Sequence, residues 1–301
     1  MPSPPVRADR IRLPGVRSAL RDTRGLISRS VRSLTAEDPG HFGPGSVSWR
    51  VFSHASYGVS GVAAVLIQAL HPGAMAAVDR HRAFRTAAWR RAHMTADYVF
   101  AITFSGRAVA DAAAARVRHI HRAIGVDEPE LLLWVHAVHT DCALRGYEAF
   151  VRRPSAADAD RFVAEQVAAA ELVGLERGRV PSTRAELEAY LGAVPGLAVT
   201  EPARNFAELL LHAGMPPAMR PFWALHLIGA ASLLPEQAYR DYGLPRRLPR
   251  GRVARALVAA AIGAINQGYR LFRPVRQARR RLKEVERARR AGAVRQAAPP
   301  A

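Results

Sequence analysis

From Val51 onward apolar residues recur every three or four positions, and no segment shows the strict apolar–polar alternation of a half-buried strand. That pattern commits the chain to helices. Composition agrees: Ala and Arg are abundant, aromatic residues make up only 7%, and β-branched runs are short. Such a balance favours helix over sheet. With 301 residues, 49% of them hydrophobic, the chain is long enough to bury a substantial core. The expected fold class is all-α.

Turn and cap residues divide the pattern. HFGPGSVSW (41–49) reads as a loop. A helix is expected through GVAAVLIQAL to His71, a second from Gly73 to about Arg82, and a third over about 86–104. A fourth should run over about 107–124 and stop at Gly125. A fifth, over 128–151, has Pro129 suited to its first turn. Ser155 and Ser182 are expected N-caps of two more. Further helices are expected in TEPARNFAELLLHAG, ending at Gly214, and from MPPAMRPF to about Leu234, before LPEQAYRDYGLP turns out of the domain. Helices over 252–272 and 274–290 close the chain.

The formal net charge of +19 is unevenly spread. Residues 1–33 hold eight Arg against two Asp, and residues 246–301 hold fifteen Arg and Lys283 against two Glu. The stretch between is near neutral. Three parts are therefore expected: a basic N-terminal arm (1–35), a helical domain (36–245) and an Arg-rich C-terminal helical extension (246–301). Basic ends attract anionic membrane surfaces or nucleic acid. The bland reading is codon bias and solvated charge, because Lys283 is the only lysine. The helix at 252–272 carries Arg on its rim, so it either lies on a membrane or packs back onto the domain; packing is the expectation.

No segment reaches about 18 consecutive apolar residues, and no secretory signal is recognised. The expected location is the cytoplasm or the membrane periphery. A single cysteine, Cys142, excludes an internal disulfide. No dinucleotide fingerprint, P-loop, HExxH or GxSxG motif occurs. The absence of any Glu-x-x-His pair argues against a ferritin-like di-iron bundle.

Chemistry concentrates in WRRAHMTADYVF (89–100) and in clustered histidines: His71, His81, His93, then His119 and His121, then His136 and His139. His119 and His121 point roughly 200° apart on a helix. Val117, Ile120, His121 and Ile124 share one apolar stripe, so His121 is the inward member. His136 follows the same logic. A hydrogen-bonded core histidine is the commoner explanation of each. His139 is expected at the surface, beside Asp141 or water. Met94, Thr95, Tyr98, Val99 and Ile102 should form the buried arc of their helix, with Arg91 one turn before Thr95. A buried Arg needs a partner, either Asp79, Asp97 or Asp111, or an anionic group held in a pocket.

FGPGSVSWRV, AVLIQALHPGAMAAVDRHRAF, WRRAHMTADYVFAITF, AAARVRHIHRAIG and DEPELLLWVHAVHTDCALRGYEAFV, in that order, resemble one family. It is the bacterial group sharing a catalytic domain with the latex-clearing rubber oxygenases and a fungal oxygenase of mycophenolic acid biosynthesis. MPPAMRPFWAL and LLPEQAYRDYGLP resemble its closing segments, so the likeness spans about residues 41–245.

The resemblance implies a single globin-like helical domain binding b-type haem iron without covalent attachment. It implies His121 as the axial iron ligand, with His136 in reserve. Arg91 and Thr95 match the family's distal Arg and Thr, and Met94 is a potential sixth ligand. The implied reaction uses O2 on an apolar small molecule, isoprenoid in the rubber oxygenases. One departure stands out: Arg80 falls where many relatives carry Glu, which casts doubt on rubber-type cleavage here. The rival expectation is a non-catalytic helical protein whose basic tails dock on anionic membrane or nucleic acid, nucleic acid being the less favoured partner.

Overall fold

The computed structural model describes residues 30, 33–79, 83–211, 217, 220–244, 251–271, 280, 283–288 and 290–291, with backbone alone for 77–79, 83–93, 211 and 268–271. The chain is all-α, with no strand among the described residues. The helices are α1 (Val47–Phe52), α2 (Ser56–Gln68), α3 (Pro72–Asp79), α4 (Ala83–Phe104), α5 (Arg107–Ala123) and α6 (Pro129–Phe150). They continue as α7 (Ala156–Val173), α8 (Arg184–Ala193), α9 (Glu201–Leu211), α10 (Arg220–Ala231), α11 (Glu236–Asp241) and α12 (Gly251–Leu271).

Local chemistry sets these bounds. Pro129 opens α6, where a missing N–H costs nothing. The Ser155 hydroxyl accepts from Asp158 N–H at 3.1 Å and starts α7. Gly174, at φ 103°, ends it in the left-handed conformation. The expected cap at Ser182 is corrected by one residue. Thr183 is the cap, its hydroxyl accepting from Glu186 N–H, while the Glu186 carboxylate reaches back to Ser182 N–H at 2.8 Å. Both residues are good caps, so composition could not choose between them. EQAYRD, expected as a turn, is the short helix α11, held by buried Ala238 and Tyr239. The helix expected to reach His71 stops at Gln68, and the one expected to reach Leu234 stops at Ala231. Gly214, and most of the stretches 1–35 and 274–290, lie outside the described residues.

Helices α2 and α6 form the central pair; α10 covers α2, and α12 lies against α6 and α10. The main cluster joins Val59 and Ile67 of α2, Trp134, Val138 and Phe150 of α6, and Val258 and Ile262 of α12. A second cluster, on the other side of α6, joins Trp49, Phe52, Val99, Phe104, Ala143 and Phe162. It takes in two residues from near the chain's basic ends, Leu34 and Val285. Among the described residues no helix is long and apolar enough to cross a membrane.

Candidate functional site

Helices α4 and α5 form an antiparallel hairpin, and its turn is clamped from outside. Gly106 N–H donates to Ser33 Oγ at 2.9 Å, and Arg107 N–H donates to the Asp38 carboxylate at 3.0 and 2.8 Å. Asp38 thus caps α5 in trans, satisfying a donor that the helix cannot. Gly40 makes the approach possible: its φ is +78°, and a Cβ there would lie 2.2 Å from Ser105 O.

Arg91 and His121 each stand roughly 20 Å from this turn at 1.5 Å per residue, so the hairpin sets them level on neighbouring helices. Thr95 sits one turn nearer the turn on α4. At the other end α5 stops as Gly125 predicts. Gly125, at φ 63°, donates to Arg122 O at 3.1 Å, and Val126 donates to His121 O at 3.0 Å. This double closure fixes the backbone of His121 itself. Five residues separate the end of α5 from the start of α6, so His136 stands at the same end of the bundle, roughly 10 Å into its helix. The turn between α2 and α3 adds His71, whose Nδ1 accepts from Ala74 N–H at 3.3 Å and whose ring lies 5.9 Å from Trp134.

His121 is half-buried and His119 exposed, as the stripe predicts, although the fully covered residues of α5 are Ala110 and Ala114. Two expectations for α4 are corrected. Thr95 is exposed, and Met94 is 42% exposed rather than in a buried arc. The buried arc begins only at Val99, where Trp49 of α1 packs on Phe104 and Tyr57 of α2 on Phe100. Exposed Val135, on α6, lies next to His136 near the same end. The side chains of Asp79, Arg80, His81, Arg91 and His93 lie outside the described residues.

His139 is not at the surface beside Asp141. Its Nε2 and the buried Tyr57 hydroxyl share a hydrogen bond of 3.0 Å, and its ring stacks on Phe52 at 5.7 Å. Asp141 pairs instead with Arg145 at 3.2 Å. Burial lowers the His139 pKa to about 4, and burial together with His139 lowers that of His136 to about 3. Both imidazoles are therefore neutral at ordinary pH. The His136 ring is turned along its own helix: its Nε2 lies 3.5 Å from Thr140 Oγ1, whose proton goes to His136 O at 2.9 Å. The Tyr57–His139 pair was missed because its members are 82 residues apart. An inward tyrosine opening α2 was the only available signal.

A cavity of about 290 Å³ lies elsewhere, between α5 and α7, lined by His41, Asp111, Arg118, Ala168, Glu171 and Leu172. It contains none of the expected site residues. His41 and Asp111 pair across its rim at 2.6 Å, so Asp111 serves His41.

No curated protein and no solved structure matches the chain. One family model does, over residues 49–265, more than half of the sequence and all of α2 to α11. The chain belongs to the family described as "ER-bound oxygenase mpaB/B'/Rubber oxygenase, catalytic domain", and is accordingly an enzyme of the oxygenase class.

Proposed function

We propose that the protein is a b-type haem-dependent oxygenase acting with O2 on an apolar small molecule, with His121 as the residue that would hold the haem iron. The observation that carries this reading is the α4–α5 hairpin, which sets His121 level with Arg91 and one turn from Thr95. Among the described residues no group of three His, Cys, Asp or Glu side chains gathers to cage a metal ion. A porphyrin brings four of its own ligands, so one imidazole suffices. Met94 on α4 and Val135 on α6 are exposed apolar side chains. A single inward imidazole supports this reading.

When bound, haem supplies the O2 activation; the chain supplies ligand, polarity and access. His121 stands where its carbonyl is already fixed by the α5 stop, so its ring starts from a constrained backbone. His136, half-buried like His121, is the second choice of ligand, its Nε2 lying 3.5 Å from Thr140 Oγ1 on its own helix. Arg91 and Thr95 orient the substrate or a developing negative charge by donating hydrogen bonds. Arg80, in the family's acidic slot, leaves no carboxylate there to take a proton, so the substrate class proposed is apolar without being rubber itself. Met94, exposed and one residue from Thr95, would be a further side chain able to help hold the group.

The test is the visible spectrum of the purified chain, reduced with and without CO. A Soret band that His121→Ala abolishes and His119→Ala keeps supports the assignment. Loss in His136→Ala with retention in His121→Ala would transfer the ligand role. A chain that stays colourless after haem supplementation would overturn the proposal.

A further inference from the structure

Helix α12 carries two apolar faces. One is consumed by the fold: Ala254 and Val258 are fully buried and Ile262 is 1% exposed, packed with α6 and α10. The other faces outward. Val253 is 69% exposed and Leu257 60%, more than any other large apolar side chain among the described residues. Ala256, Ala260 and Ala264 are exposed with them. These positions recur every three or four residues, forming a stripe roughly 16 Å long that lies about 140° around the helix from the buried row.

The charge carried by α12 itself has one sign. Helix α12 contains no Asp or Glu, and Arg252 is exposed beside the stripe. The sequence from 246 to 301 has sixteen basic residues against Glu284 and Glu286. The helix is also held rigidly. Asn266 Oδ1 accepts from Ala55 N–H at 3.2 Å, Asn266 Nδ2 lies 2.7 Å from His54 Nε2, and Arg255 donates to Ser232 O at 3.2 Å. The stripe is therefore presented ready-made.

We propose that this outward face of α12 is a docking surface for an anionic lipid bilayer. The apolar stripe enters the boundary between headgroups and acyl chains, and Arg252 beside it takes a lipid phosphate. The helix lies on the membrane and does not cross it. The chain's own C-terminal segment is a poorer occupant: Val285, buried among its described residues, packs into the cluster of Trp49 and Phe52, while Val258 and Ile262 of α12 belong to the other cluster. A second copy is poorer too, because it would bring arginine against arginine. This proposal does not depend on haem.

The experiment is flotation of the full chain with vesicles of phosphatidylcholine alone or with one third phosphatidylglycerol, at low and high salt. Wild type should float with the anionic vesicles only, and less at high salt. V253E/L257E should weaken binding at least about tenfold, by removing the inserted surface, while leaving the circular dichroism spectrum and Tm unchanged. A fluorophore on Leu257→Cys, a site more accessible than buried Cys142, should shift to the blue on anionic vesicles. Three results would overturn the proposal: vesicle binding undiminished in V253E/L257E, equal binding to neutral vesicles, or a wild-type dimer that the double substitution dissolves. Duplex DNA that binds the wild type while anionic vesicles do not would assign the charge to nucleic acid instead.

Discussion

Gly146 of α6 and Ser60 of α2 meet so closely that a Cβ on the glycine would lie 1.9 Å from Ser60 Oγ and 3.1 Å from Ser60 Cβ. The two central helices cross at this point. Gly146→Ala is expected to destabilise the protein by about 1–3 kcal/mol, the usual cost of forcing an added carbon into a packed core. Ser60→Gly combined with it should recover part of the loss. Chemical denaturation of the three variants checks both expectations.

The neutral imidazoles of His136 and His139 predict an acid-sensitive fold. Their folded pKa values, about 3 and about 4, lie below the ordinary histidine value. The unfolded chain therefore takes up protons first as pH falls. Stability is complete above about pH 6.5 and is lost at up to about 1.4 kcal/mol per pH unit for each imidazole as pH drops toward the folded values. Denaturation midpoints between pH 7 and pH 4.5 should fall, and fall less steeply in His139→Gln. A flat profile in the wild type would refute the burial of these neutral rings.

Asp38 holds the start of α5 from across the chain. Asp38→Ala removes the acceptor of Arg107 N–H and of Gly40 N–H. It should cost about 1–2 kcal/mol, as loss of an N-cap does. Hydrogen exchange should quicken at Gly40 and Arg107 before it quickens in α6.

Cys142 is 1% exposed, and burial pushes its thiol pKa up, away from thiolate. A thiol so placed is inert toward disulfide reagents. The native protein should show no reaction with an aromatic disulfide, and one equivalent after denaturation.

If Arg91 and Thr95 serve the substrate side of the site, Arg91→Ala and Thr95→Val should each lower turnover, by about 100-fold for a donor acting on developing charge. The Soret absorbance should persist in both. Loss of the band in either would place that residue in cofactor retention instead.

Much of the architecture was legible because its signals are local. Gly125, Pro129 and Ser155 act within one turn of themselves, and each marks its helix end as read. Misreadings arose where the deciding partner is distant. The period of α4 offered an arc through Met94 and Thr95, but α1 and Tyr57 of α2 cover only its later half, from Val99. His139 looked peripheral until Tyr57 arrived from α2. Asp38 is an unremarkable loop acid in sequence, yet it caps a helix about seventy positions away. For the candidate site, periodicity identified His121 as the inward member of its pair, but the levelling of Arg91 with it needed the hairpin.

That hairpin behaves as a ruler whose zero is the Ser105–Gly106 corner. One extra amino acid inserted at the corner would slide α5 by about 1.5 Å and swing it by about 100° against α4. His121 would then face a different neighbour while every helix stayed intact. The Ser33 and Asp38 contacts to Gly106 and Arg107 leave such an insertion little room to loop out.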